Sequence, residues 1–301
     1  MKRLLIVCIG ACVVLSSGGP ADAGIIYGTA KPGYYDTGDI YRIDTALKTA
    51  ALLVDISATP VAPLGSPAVG PLAGDSPNGN AFDTANRRFY FAGFQDPGSP
   101  ASGAVAPSEL YYVDILDTSS IVWAGTLAGH ASGAAFHAGK YWYISHGTNA
   151  LRSVSLNPDG TIGFDTMHLT VQHSDPGFLI FGDIAFDLTG SLYLTGAVKD
   201  QNAGFKRYLS GTVDLSSGAF TEIGQSLYWG QIAFGAHGAL YGHDAGTGNF
   251  YTVNISDGTT NYLFTDGPFT DLAAPIPAPG SIVLAAVGCS VVGLIRRGRF
   301  L

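Results

Sequence analysis

Five residues, Asp271, Gly79, Gly133, Asp183 and Gln231, each stand two places before an alanine, at the same point of a pattern that returns along the chain. Brought together, two carboxylates and an amide would offer oxygens to a hard cation, calcium first among them, or to ligand hydroxyls. The residues expected to converge on the same point are Thr29, Ser145, His146, Thr195, His243 and Asp244, at the ends of the strands that follow those alanines. The competing reading is that these Asp and His side chains cap turns and bond loop backbone.

Other chemistry has little to stand on. His130, His137, His168, His173 and His237 show no metal-ligand spacing and read as surface or turn residues. Asp36, Asp39, Asp44, Asp159, Asp187 and Asp257 lie beside Gly, Thr or Ser in tight turns without an EF-hand pattern around them. The sole body glutamates, Glu109 and Glu222, fall in different repeats, so no glycosidase pair forms. A nucleophile elbow and a Walker loop are both lacking, and Gly246-Thr247-Gly248 reads as a turn because no crossover helix follows it. Tyr34, Tyr35, Trp123, Trp142, Tyr228 and Trp229 are of the type that stacks on sugar rings, with core packing the favoured reading.

The elements that must position these groups follow from the repeat. Gly79-Asn80-Ala81-Phe82, Gly133-Ala134-Ala135-Phe136, Asp183-Ile184-Ala185-Phe186 and Gln231-Ile232-Ala233-Phe234 align with their Phe residues 54, 50 and 48 apart. A spacing near 50 signals an array of supersecondary units. In each unit a short Ala-Phe strand leads through a tight turn to an aromatic strand (88–91, 141–144, 191–194, 239–241). A third strand follows (110–115, 151–156, 209–215, 249–255), then a weaker fourth, as at 219–223. In the third strand at 110–115, Leu110 and Tyr112 should face one way and Tyr111 and Val113 the other. Four antiparallel strands make one blade of a β-propeller.

The first unit lacks its Ala-Phe strand. Ile25-Ile26-Tyr27-Gly28 matches a second strand, 39–44 a third and 51–56 a fourth, whereas Phe269-Thr270-Asp271-Leu272-Ala273 at the far end supplies the missing first. The expected fold is therefore all-β, a propeller of about five four-stranded blades closed by pairing of its N- and C-terminal strands, which removes exposed sheet edges. Residues 59–77 are too proline-rich for central strands and read as an inter-blade loop, with 95–107 a second.

Both ends carry membrane-directed sequence. Lys2 and Arg3 precede an apolar run at 4–15, and Ala21-Asp22-Ala23 is an Ala-x-Ala cleavage signal, so residues 1–23 read as a signal peptide. A lipobox at Ile9-Gly10-Ala11-Cys12 is the rival reading. At the other end Pro277-Ala278-Pro279-Gly280 leads into an apolar stretch at 281–295, then Arg296, Arg297 and Arg299. That stretch would span about 22 Å as a helix against a hydrocarbon core of about 30 Å, with the arginines snorkelling to the cytoplasmic interface.

Composition bounds the body between them, residues 24–274. Cys8, Cys12 and Cys289 all lie in the terminal segments, leaving the body no disulfide, thiolate nucleophile or cysteine-ligated metal. Residues 24–275 hold ten Lys and Arg against 22 Asp and Glu, a formal charge of −12 where the whole chain has −8. Nucleic acid, which needs clustered cations to displace counterions, is excluded as a partner.

The order of proline motif, apolar helix and arginine cluster in residues 275–301 resembles the PEP-CTERM sorting signal of bacterial surface proteins. Here Pro277-Ala278-Pro279 lacks the family's acid. The resemblance implies export, signal peptidase cleavage, an inner-membrane intermediate and processing by exosortase; a plain C-terminal anchor explains the same helix. A second resemblance, of Asp183-Ile184-Ala185-Phe186-Asp187 with Gly190-Ser191-Leu192-Tyr193 to calcium-dependent gluconolactonase-type propellers, covers about a dozen residues. Two functions follow as expectations: a non-enzymatic cell-surface or matrix protein with extracellular polysaccharide as a partner, or a secreted metal-dependent hydrolase or lactonase.

Overall fold

The computed structural model describes residues 24–30, 39–63, 78–93, 107–180, 182–200, 204–226 and 230–275. The signal-peptide and sorting segments, and Tyr34, Tyr35, Tyr228 and Trp229, lie outside the described residues. Within them every regular element is a β-strand, and the strands form five blades built on antiparallel pairing.

Blade 1 runs outward from Phe269–Ala273 through Ile25–Ala30 and Ile40–Asp44 to Thr49–Val54. Blade 2 contains Asn78–Asp83, Arg88–Gly93, Glu109–Asp114 and Asp117–Thr126. Blade 3 contains Ala131–His137, Lys140–Ser145, Ala150–Leu156 and Ile162–Thr170. Blade 4 contains Ile184–Phe186, Leu192–Asp200, Gly204–Val213 and Phe220–Gln225. Blade 5 contains Gly230–Phe234, Leu240–Asp244, Asn249–Val253 and Thr260–Thr265.

The ring closes through its termini, as the repeat requires: Tyr27 pairs with Ala273, Gly28 with Leu272 and Thr29 with Asp271. The innermost strands touch in the order of blades 1, 2, 3, 4, 5 and back to 1.

Pairing explains why the Ala-Phe motif returns. In every blade the motif alanine lies opposite an aromatic residue of the second strand: Ala273 faces Tyr27, Ala81 Tyr90, Ala135 Trp142, Ala185 Tyr193 and Ala233 Tyr241. Four of these aromatics then meet the motif Phe of the next blade. Phe82 stacks on Tyr27 at 4.9 Å, Phe136 on Tyr90 at 6.2 Å, Phe186 tilts onto Trp142 at 5.5 Å and Phe234 meets Tyr193 edge-on at 5.1 Å. A small residue leaves room for the ring and the ring wedges the neighbouring blade, so the motif spells blade-to-blade packing. The fifth interface has Ala274 in place of Phe, and there Phe250 packs against Phe269 at 5.8 Å. Alternation within the third strand of blade 2 is as expected: Tyr111 and Val113 join the cluster with Ile25 and Tyr27, and Leu110 and Tyr112 the one with Tyr141 and Val154.

Three elements depart from the expected boundaries. The second and third strands of blade 4 extend to Asp200 and back from Gly204, a longer hairpin than 191–194 and 209–215. Phe178–Leu179 pairs with that extension, opposite Val198 and Ala197. The segment 59–77 adds Val61–Ala62, parallel to Ile121 and Val122 at the outer edge of blade 2, where proline is tolerated. The remainder of that segment from residue 64, and most of 95–107, are outside the described residues.

Candidate functional site

The inner strands begin at one mouth of the ring and end at the other, about 10 Å away for three residues of strand. At the first mouth the structure brings Asp183 and Asp271 together. Both are fully buried, and their carboxyl groups are hydrogen-bonded to each other.

Backbone amides fill the remaining oxygens. Asp271 Oδ1 accepts from its own neighbour Leu272 N at 2.8 Å and Oδ2 from Asn80 N of blade 2 at 2.6 Å. Asp183 repeats the arrangement, with Oδ1 accepting from Ile184 N at 2.7 Å and Oδ2 from Ile232 N of blade 5 at 3.2 Å. Each aspartate thus ties its own inner strand to that of the next blade, and the contact between the two carboxyl groups joins blade 1 to blade 4.

Blade 3 joins by close approach. A Cβ on Gly133 would lie 2.7 Å from Gly182 O and 2.8 Å from Asp183 Cα, and the buried Tyr141 hydroxyl donates to Gly79 O at 2.7 Å. This packing accounts for glycine at 133, where blades 1 and 4 have aspartate. Burial raises Asp271 from 3.8 to about 7, even though hydrogen bonds from Asp183 and from Asn80, Leu272 and Gly79 amides favour its charged form. Burial and the Asp271 carboxyl together push Asp183 well above the usual range.

The other expected site residues have separate surroundings. Gln231 is buried in blade 5 opposite His243. His243 is fully buried between Phe250 at 4.4 Å and Phe269 at 5.4 Å, with Nε2 hydrogen-bonded to Gly267 O at 3.2 Å. Burial brings its pKa down to about 3, so the ring is neutral. Asp244 caps a turn, accepting from Gly246 N at 2.8 Å and Thr247 N at 3.2 Å. The half-buried His146 lies edge-on to His130 at 5.8 Å, with its pKa lowered by burial. Thr29 and Thr195 do sit beside the aspartates: Thr29 Oγ1 accepts from Asn80 Nδ2 at 3.0 Å, and Thr195 Oγ1 accepts from Asp183 N at 2.8 Å.

With a backbone N–H on each of their four oxygens, the aspartates form an axial tie in which cation ligation would have to break existing bonds. No group of three His, Cys, Asp or Glu side chains among the described residues has the spacing to hold a metal ion. The glutamates are likewise engaged. Glu109 accepts from Trp123 Nε1 at 2.7 Å, and Glu222 pairs with Arg207 at 2.9 Å.

Below the tie the axis holds a cavity of about 20 Å³, room for roughly one water, lined by the inner strands of all five blades. A ligand-sized space lies at the second mouth, a cavity of about 380 Å³ between blades 2, 3 and 4. Its walls include the residues directly after three motif phenylalanines, Asp83, His137 and Asp187, together with Phe82, Phe136, Arg88 and Leu188.

Turn chemistry sets these groups in place. Asp83 Oδ1 accepts from Ala85 N at 3.0 Å and Asn86 N at 3.2 Å. Asp187 Oδ1 accepts from Thr189 N and Ser191 N, both at 2.8 Å. His137 stacks on Phe186 at 4.4 Å, and burial lowers its pKa against a smaller opposing pull from Asp187. Burial works to raise Asp187, but hydrogen bonds from Thr189, Ser191 and Gly190 carry it below the ordinary value. The Arg88 guanidinium lies 4.9 Å above the Tyr112 ring and donates to Pro158 O at 3.1 Å. Sequence reasoning missed this mouth because it followed the residue that opens each inner strand; the residue after each motif Phe was the signal that marks it.

No protein-family model matches the sequence, and no curated protein matches it. Among solved structures, the chain aligns with one in a nidogen–laminin complex at 13% identity and a TM-score of 0.47, over 85% of this chain and 100% of that one. It aligns with a candidate 6-phosphogluconolactonase from Bacteroides uniformis at 9% identity and a TM-score of 0.45, over 82% and 98%. For luciferin-regenerating enzyme the values are 12% and 0.43, over 85% and 96%. Such distant likenesses carry no argument about activity, and the five-blade propeller rests on this chain's own strand pairing.

Proposed function

We propose that the protein is an exported, non-enzymatic binding module whose rigid ring presents the cavity at its second mouth, with extracellular polysaccharide as the partner. The observation that carries this reading is the contrast between the two mouths: the carboxylates that would have served a metal are closed into the axial tie, while the roomy cavity lies at the other end. In this proposal residues 1–23 direct export and are removed by signal peptidase. Residues 275–301 hold the chain at the inner membrane until sorting, by exosortase or as a plain anchor. The intact mass of the protein from its native host tests that part, since a mature chain retaining Arg296, Arg297 and Arg299 excludes processing.

The second reading, a propeller hydrolase or lactonase, is favoured by one feature, the titratable His137 beside Asp187 in a ligand-sized cavity. Glucono-δ-lactone and p-nitrophenyl acetate, each with calcium and with chelator, separate the two. The binding module gives no enzyme-dependent turnover in either condition, and calcium-dependent turnover abolished by chelator would replace this reading with the hydrolase.

A further inference from the structure

We infer that the cavity at the second mouth, between blades 2, 3 and 4, is a recognition site for one or two rings of a neutral saccharide. The inference rests on the binding-module reading and adds the site and the ligand class.

Its volume of about 380 Å³ lies within the range of small-molecule sites. The wall combines the partly exposed Phe136 ring, backed by the buried Phe82, with polar side chains retaining bonding capacity. Asp187 commits Oδ1 to the Thr189 and Ser191 amides and the Thr189 hydroxyl, and Oδ2 takes no hydrogen bond among the described residues. His137 has its backbone carbonyl bonded by Trp142 Nε1 at 3.2 Å, while its ring nitrogens are free of hydrogen bonds among the described residues. Arg88 commits Nη2 to Pro158 O, leaving other guanidinium N–H groups.

A charged acceptor, a cationic donor, an imidazole and an aromatic face match a sugar, with hydroxyls at its rim and C–H groups on its face. Charge narrows the class. Asp83 and Asp187 outnumber Arg88 on the wall, so an acidic sugar or a phosphate would meet net repulsion.

The test uses the full chain and a panel of neutral sugars: glucose, galactose, mannose, N-acetylglucosamine and their common disaccharides. Binding is read by saturation-transfer NMR and calorimetry, with glucuronate as the acidic control. Two variants are compared with the parent. Asp187→Asn keeps an amide oxygen for the turn at Oδ1 and replaces only the uncommitted Oδ2; Phe136→Ala removes the apolar wall.

At least one neutral sugar is expected to bind in preference to glucuronate. Asp187→Asn, shown to be folded by a cooperative melting transition, is expected to weaken it about tenfold, the worth of one hydrogen bond to a charged group. Sugar binding that both variants leave intact overturns this site while the binding role stands. Absence of binding by any panel member, or preference for glucuronate, overturns the ligand class. Turnover in the lactone assay would instead remove the underlying reading.

Discussion

Replacing Asp271 by Asn should change how stability depends on pH, and the structure sets both sign and size. Burial holds the folded Asp271 carboxyl near 7, while the unfolded chain titrates at the ordinary 3.8. Below 3.8 both states are protonated and the stabilisation is complete; as pH climbs, the unfolded state releases its proton and the folded state keeps it, so stability drains away until pH passes about 7. At about 1.4 kcal/mol per pH decade, the advantage of the parent over the variant falls by about 4 kcal/mol across this window. For a body of this size that corresponds to roughly 10 °C in Tm.

The lost acceptor oxygen adds a pH-independent offset, and Asp183, whose carboxyl Asp271 helps to raise, is perturbed with it, so the difference between the two curves reports the coupled pair. Scanning calorimetry of parent and Asp271→Asn at half-unit steps from pH 4 to 8 makes the measurement. A difference that is level across this range, or that widens toward neutral pH, would refute the buried, proton-holding tie.

Three further outcomes follow from the same geometry. Gly133→Ala places a methyl group 2.7 Å from Gly182 O and 2.8 Å from Asp183 Cα, a backbone clash expected to cost about 1–3 kcal/mol, read as a lower midpoint in urea unfolding. His243, with its folded pKa near 3 against an ordinary 6.5, stays neutral in the fold, so stability is lost as pH falls below 6.5 and the unfolded chain takes up the proton. Its imidazole resonances should show no titration between pH 8 and 4, and His243→Leu should flatten that acid loss by up to about 5 kcal/mol. Calcium or chelator should move Tm by less than about 1 °C; several degrees of calcium stabilisation abolished in Asp183→Ala would show that a cation enters the tie.

Blade number, strand order and terminal closure were legible in the sequence because they follow from local pattern. An alanine and a phenylalanine returning near every 50 residues, and Phe269-Thr270-Asp271-Leu272-Ala273 standing where the first unit lacked a strand, encode packing that each blade repeats with its neighbour. Alignment also brought Asp183 and Asp271 to one mouth, since equivalent places in a ring converge on its axis. What the pair does there was decided only in three dimensions. Whether a carboxylate binds a cation or shares a proton depends on which donors reach its oxygens, and here those are the amides of Asn80 and Ile232, 191 and 49 residues away in the chain. The same holds for His243, closed in by Phe250 and Phe269, and for the cavity at the far mouth, whose walls come from three blades with no shared motif beyond the residue after each phenylalanine. Sequence periodicity reports the contacts a unit makes again and again, whereas accessibility, desolvation and charge balance are sums over all the neighbours that the closed ring assembles.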